Sequence, residues 1–298
     1  MHQELTYFQA LVMGLLQGIS ELFPISSLGH SVVFPALVGW KNLVSAQSAS
    51  NSFFLSFLVG LHVATAAALF VFYRHEWKKI IWAFFRTLKT RKIEDKYERL
   101  AWLLGIATIP AGITGLVFEH ILRTLFAKPL AASLFLIVNA GILAVGEVFL
   151  RRGIKQKTMF QAQGRDWQEG QRPLATLNFK EAVAIGTAQV LALLAGISRS
   201  GVTMVAGLVR GMDHEDSARF SFLLATPIIF AAGIYKVPGL FSATTAGIRP
   251  QILVGSIGAF VAAYFSVSFL TKYFKTRNLY PFAIYSLVAG ILLTIRFY

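Results

Sequence analysis

Long runs without a formal charge alternate with short basic connections along this chain. The uncharged runs fall at 52–73, 101–118, 129–146, 220–235, 250–271 and 278–295. A helix needs roughly 20 residues to cross a bilayer, so the pattern predicts six membrane spans. Two further apolar stretches differ in kind. Residues 5–40 contain one formal charge, Glu21, and residues 182–209 contain one, Arg199, each beside a Pro/Gly/Ser break. A helix, a break and a second helix fit these stretches better than one long span; two continuous, kinked spans are the alternative.

The chain also resembles itself. An offset of 172 residues aligns Gly14 with Gly186, Gln17 with Gln189, Ile25 with Ile197, Ser26 with Ser198, Gly29 with Gly201 and Gly39 with Gly211. At an offset of 165, Ser56-Phe57-Leu58 meets Ser221-Phe222-Leu223 and Ala66-Ala67 meets Ala231-Ala232; Ala140 to Leu143 then repeat as Ala289 to Leu292. Three blocks in one order indicate a duplication.

Composition places the chain in a membrane: 55% of its residues are hydrophobic, 14% are charged, and the mean hydropathy is +0.61. No soluble core of 298 residues hides that much apolar surface. The start lacks a basic n-region and a small-residue cleavage site, so no cleavable signal peptide is expected. Without cysteine there are no disulfides, thiolate metal sites or cysteine nucleophiles.

A net charge of +14 could suggest nucleic acid, but its distribution argues against that partner. Nine Lys/Arg lie in 74–100, seven in 151–180 and three in 272–277. By the positive-inside rule these loops are cytoplasmic, and the basic excess is a topology signal. Span 52–73 then runs outside to inside while span 220–235 starts from inside, so the halves are inverted. Inversion needs an odd number of true spans per half, which makes the two broken stretches re-entrant hairpins with buried tips. The predicted fold is an all-α polytopic membrane protein with an inverted-topology repeat, each half a re-entrant helical hairpin plus three transmembrane helices. It is one membrane domain: repeat 1 at about 5–150, repeat 2 at about 181–298, and a basic, partly disordered cytoplasmic loop at 151–180. Residues 76–99 mix aromatics with bases and suit a helix on the membrane surface.

An isolated charge at the bilayer midplane costs at least ~2.5–3.5 kcal/mol, so Glu21 and Arg199 each call for a partner. If the tips meet, they share one pocket; a purely structural ion pair is the bland reading. The company around them is phosphate-handling. Pro24 with Ser26 and Ser27 would open one helix, and Ser198 to Gly201 another, so two helix N-termini converge on one anion site. Arg199 adds a planar donor fork. Ser27 and His30 stand three apart on one helix face, where a nucleophile and its base can hydrogen-bond. His62, alone in its span, reads as a packing residue.

The run Glu21-x-x-Pro24-x-Ser26-Ser27-x-Gly29-His30, joined to Gly196-x-Ser198-Arg199-Ser200-Gly201, resembles the two signature motifs of the bacitracin-resistance type undecaprenyl-diphosphate phosphatases. The likeness extends to Ala218–Leu224 and Pro281–Tyr285, nearly the whole chain. It implies hydrolysis of a polyprenyl diphosphate to the monophosphate and phosphate, recycling the lipid carrier of cell-wall synthesis and conferring bacitracin resistance. It implies catalytic roles for Glu21, Ser27, His30 and Arg199, and a phosphate-binding set of Gln17, Ser26, Gly29, Ser198, Ser200, Gly201 and Thr203. A divalent cation, Mg²⁺ or Ca²⁺, is implied with Glu21 as its protein ligand, bound with the substrate. A bacterial inner-membrane location is implied, with a site open to the outer, periplasmic face; a homodimer is compatible. Gln17 stands where the family carries Glu or Gln, so a carboxylate pair with Glu21 is lost. Leu28 replaces the usual Thr or Ser, and Ala195 the usual Pro. The membrane acid-phosphatase class fails here, because Arg199 is followed by no His until His214. The remaining rival is a polyprenyl-phosphate flippase or transporter, since inverted repeats with broken helices are transporter architecture.

Overall fold

The computed structural model describes residues 5–48, 53–118, 128–162 and 174–298. Among these residues the secondary structure is helical, without strands. The α-helices are α1 (Tyr7–Ser20), α2 (Ser27–Leu37), α3 (Lys41–Ser48), α4 (Phe53–Phe72), α5 (Arg74–Thr90), α6 (Lys96–Val117), α7 (Pro129–Ala162), α8 (Phe179–Ala188), α9 (Arg199–Val209), α10 (His214–Leu240), α11 (Arg249–Tyr273) and α12 (Tyr280–Phe297).

Six helical segments among the described residues are long and apolar enough to cross a membrane: Phe53–Phe72, Lys96–Val117, Pro129–Arg152, His214–Lys236, Thr245–Tyr273 and Tyr280–Phe297. They coincide with the six predicted stretches, and the chain is a multi-pass membrane protein. Helices outrun the predicted stretches wherever their first turns are polar. Asp213 caps α10 through the Asp216 N–H, and the Glu98 carboxylate accepts from the Glu94 and Asp95 N–H groups at the start of α6. The largest departure is α7, which runs on through 153–162, within the loop expected to be partly disordered. Lys and Gln in that stretch are good helix formers despite their polarity. Residues 163–173 of the same loop lie outside the described residues.

α5 is two-sided, as expected of a helix in 76–99. It buries Trp77, Ile80 and Ala83 and exposes Trp82, Phe85 and Leu88. Ion pairs gather at this end of the bundle, two of them on buried acids: Glu98 with Arg86 at 2.5 Å and Glu147 with His214 at 2.6 Å, alongside Glu76 with Arg219 at 2.5 Å.

Each short helix before a break packs on a span of the other half. α1 lies on α11 and α8 lies on α6. Both crossings are backbone to backbone. A Cβ on Gly14 would come 2.1 Å from the Gly255 carbonyl oxygen, and one on Gly186 would come 2.3 Å from that of Ala107. Gly14 and Gly186 are the residues matched by the 172-residue offset.

Candidate active site

Two interruptions build the site. α1 ends at Ser20, and the chain turns through residues 21–26 before α2 begins at Ser27. In the second half α8 passes into a 3₁₀ turn, Gln189–Leu193, and the chain turns again before α9 begins at Arg199. Offset-matched serines cap the two outgoing helices. The Ser26 hydroxyl accepts from the Gly29 N–H at 3.3 Å, and the Ser198 hydroxyl accepts from the Gly201 N–H at 3.1 Å. Each cap satisfies an otherwise orphaned donor at a helix start.

The turns touch. Gly196 donates its N–H to the Ser26 hydroxyl at 3.0 Å. Asn139 of α7 clamps both, donating to the Pro24 carbonyl at 3.0 Å and accepting from the Ser198 N–H at 3.0 Å. Gly196 has φ +112°, and a Cβ on it would meet the Ala132 carbonyl oxygen at 2.4 Å, so only glycine fits.

This contact brings Glu21 and Arg199 together. Arg199 Nη2 donates to Glu21 Oε1 at 3.0 Å, and Arg199 Nη1 donates to the Ser221 carbonyl at 3.3 Å. Glu21 Oε2 takes a short hydrogen bond from the Ser27 hydroxyl, accepts from Gln17 Nε2 at 3.1 Å, and lies 3.4 Å from His62 Nε2. Glu21 is only 7% exposed, and a carboxylate that buried persists only with such partners. The cluster faces a cavity of about 240 Å³. Its polar lining comprises Glu21, Ser26, Ser27, His62, Gln189, Ser198 and Arg199; its apolar wall includes Val59, Ala111, Leu193, Ile228, Ile229 and Ala232. Serine hydroxyl, carboxylate and guanidinium beside two helix N-termini are equipped to hold an anion and deliver an oxygen nucleophile.

His30 is elsewhere. Its Nδ1 is 2.7 Å from the Ser26 carbonyl, its Nε2 is 2.8 Å from the Tyr285 hydroxyl, and its ring stacks on Tyr285. The Ser27–His30 hydrogen bond expected from their spacing is replaced by Ser27–Glu21, because a carboxylate is the stronger acceptor for a hydroxyl. His30 is not among the residues that line the cavity. Nor are Gly29, Ser200, Gly201 and Thr203, all expected to bind phosphate; they knit the tips together. Ser200 bonds Ser198 at 3.0 Å, Thr203 bonds Ser221 at 2.5 Å, and Gly29 and Gly201 donate to the capping serines. Gln17 reaches the cluster through Glu21.

His62, expected to be a packing residue, and Gln189, expected only as the repeat partner of Gln17, both line the cavity. The signal for His62 is that a polar ring in an uncharged span calls for a hydrogen-bond partner inside the protein. Gln189 was visible as the counterpart of Gln17.

The residues present do not form a protein-held metal site. Glu21 is the sole carboxylate on the cavity, its oxygens already accept from Arg199, Ser27 and Gln17, and no cluster of three or more His, Cys, Asp or Glu occurs among the described residues. A hard cation takes six or more oxygen ligands, most of which this site lacks.

Fold and site together define a polytopic membrane protein with a buried cluster of carboxylate, guanidinium and hydroxyl groups on a cavity between two interrupted helices. Comparison with known proteins identifies the kind. The family described as "Bacitracin resistance protein BacA" matches residues 10–292, and the chain belongs to that family. The chain is 51% identical to "Undecaprenyl-diphosphatase 2" of Frankia alni, covering 99% of this chain and 98% of that one. It is 52% identical to "Undecaprenyl-diphosphatase" of Mycobacterium avium over 97% of each, and 41% identical to that of Granulibacter bethesdensis.

Proposed function

We propose that this chain hydrolyses undecaprenyl diphosphate to the monophosphate and inorganic phosphate, returning the lipid carrier to cell-wall synthesis and conferring resistance to bacitracin. The observation that carries this reading is the Ser27–Glu21–Arg199 cluster on a cavity flanked by two capped helix N-termini.

Arg199 and the N–H groups at the starts of α2 and α9 hold the terminal phosphate and stabilise charge on its equatorial oxygens, the chief requirement of phosphoryl transfer. Ser27 Oγ attacks in line as its proton passes to Glu21 Oε2. The bond to the bridging oxygen breaks, and its electron pair leaves with the prenyl monophosphate. Water then releases phosphate from Ser27. The prenyl tail lies along the apolar wall formed by Val59, Ala111, Ile228 and Ile229. A phosphate ester trapped on Ser27 after rapid acid quench is the expected result; full activity in Ser27→Ala would end the covalent route.

The halves are inverted and the broken stretches are re-entrant. Helix length supports this: at 1.5 Å per residue α1 spans about 21 Å and α2 about 16 Å, short of a ~30 Å hydrocarbon core. α8 and α9 are shorter than α1. The exchanged pairings α1–α11 and α8–α6 also suit an inverted pair. With the basic loops inside, the site opens outward. Val59 and His62 then lie in the outer half of α4, Ala111 in that of α6, and Ile228 to Gly233 in that of α10.

A divalent cation enters with the diphosphate rather than residing in the protein. Chelator treatment is therefore expected to lower turnover while leaving the unfolding temperature of the substrate-free protein unchanged. A chelator-induced drop of several degrees would point to a resident ion.

The deciding experiment measures phosphate release from C15 to C55 prenyl diphosphates by purified protein in detergent. Release at multiple turnovers is the expected outcome. Translocation of a polyprenyl phosphate across vesicles without phosphate release would favour a flippase.

A further inference from the structure

Ser26 holds a backbone conformation that serine rarely adopts. Its φ is +72° and its ψ 103°, and Arg91 is the other non-glycine residue with positive φ among the described residues. Such a conformation persists only where its surroundings hold it. The Ser26 hydroxyl is held by the Gly29 and Gly196 N–H groups. Its carbonyl is held by His30 twice over. The main-chain N–H of His30 reaches it at 3.3 Å, long for an amide hydrogen bond, and the ring Nδ1 reaches it at 2.7 Å. The side chain is the firmer grip. A carbonyl oxygen only accepts, so Nδ1 carries the proton of the neutral ring, and Nε2 accepts from the Tyr285 hydroxyl at 2.8 Å. The two rings also stack. Neither nitrogen is left for the Ser27 proton.

Tyr285 stands on a fixed platform. The next residue of α12, Ser286, accepts from Asn139 Nδ2 at 3.1 Å, the same amide that donates to the Pro24 carbonyl. One turn on, Gly290 lies so close to α7 that a Cβ there would come 2.7 Å from the Ile137 side chain and 3.0 Å from the Ser133 carbonyl oxygen. α12 therefore braces the first turn at two points, Pro24 through Asn139 and Ser26 through His30. The peptide plane that carries the Ser26 carbonyl also carries the Ser27 nitrogen. Turning that carbonyl turns the start of α2 and swings the Ser27 hydroxyl away from Glu21, to which it donates.

We propose that Tyr285 and His30 are positioning residues, a relay from α12 that fixes the Ser26 carbonyl and so aims Ser27 at Glu21. The relay deepens the phosphatase reading above and rests on it. His30 transfers no proton in the reaction.

The test measures phosphate release from undecaprenyl diphosphate by the full chain in detergent. His30→Ala frees the carbonyl, and kcat should fall by about 10²-fold, the usual cost of a reacting group misplaced by about 1 Å. An asparagine amide stands where the imidazole Nδ1 stood, so His30→Asn, which cannot shuttle a proton, should keep kcat within about tenfold of the parent. Tyr285→Phe keeps the ring and removes one hydrogen bond; kcat should fall by about 3–10-fold. Because Tyr285 acts through His30, the double variant His30→Ala/Tyr285→Phe should be no slower than His30→Ala. If His30→Ala does not fold, His30→Asn takes its place in the cycle, and Tyr285→Phe should again cost nothing further. The relay is overturned by parent-like turnover in His30→Ala or Tyr285→Phe, by a loss of about 10²-fold in His30→Asn, or by effects of the two changes that multiply. Each of those results leaves the phosphatase reading intact. A parent chain that releases no phosphate removes both.

Discussion

Arg199→Ala should lower kcat/KM for a prenyl diphosphate by about 10³–10⁵-fold, the range that a transition-state arginine contributes to phosphoryl transfer. Two losses combine. The planar fork that holds phosphate oxygens disappears, and Glu21, 7% exposed, loses the guanidinium 3.0 Å away. Breaking a buried pair by removing one partner costs about 3–5 kcal/mol, since the other charge stays behind uncompensated. Arg199→Ala should therefore also lower the unfolding temperature. The double variant Glu21→Gln/Arg199→Ala separates the two losses. It removes both charges, so stability should recover most of its loss while activity stays low. Phosphate release and thermal unfolding in detergent check both parts. Parent-like turnover in Arg199→Ala would remove the guanidinium from the mechanism, whatever the stability.

The second large effect concerns the fold. Gly14→Ala and Gly186→Ala are each expected to destabilise by about 1–3 kcal/mol, the usual cost of overpacking. Helix propensity alone predicts the opposite sign, since alanine is better than glycine in a helix by about 1 kcal/mol. Packing wins because a Cβ would sit 2.1 Å from the Gly255 oxygen or 2.3 Å from the Ala107 oxygen, and backbone cannot swing aside as a side chain can. Gly105→Ala is the control. It lies on α6, as Ala107 does, and nothing lies within 4 Å of where its Cβ would be, so it should be neutral or stabilising. Unfolding temperatures of the three variants decide the matter. If Gly14→Ala and Gly186→Ala match Gly105→Ala, the two helix crossings are not in this register.

The spans were legible because apolar, uncharged runs of 16 to 22 residues, recurring between basic connections, match the thickness of a bilayer, and the breaks were legible because Pro24, Gly196 and the serines around them cannot continue a helix without penalty. The pairing of Glu21 with Arg199 was legible for a similar reason: one acid and one base, each alone in an apolar stretch, have no other affordable partner. The continuation of α7 through 153–162 was not legible, because polarity marks exposure to water and not the absence of a helix. Spacing placed Ser27 and His30 on one face, yet it could not rank the acceptors competing for each side chain.

Sequence alone determined the membrane class, six spans, two broken helices and the chemical inventory at each break, since these follow from local hydropathy, local backbone preference and the cost of unpaired charge. Tertiary structure alone decided which imidazole meets the carboxylate. His62 and His30 are each one side chain on one helix, and nothing local to either reveals that α4 turns His62 toward Glu21 while Tyr285, 255 residues along the chain, holds His30 away. Contacts between segments so far apart in the chain are set by how the helices pack.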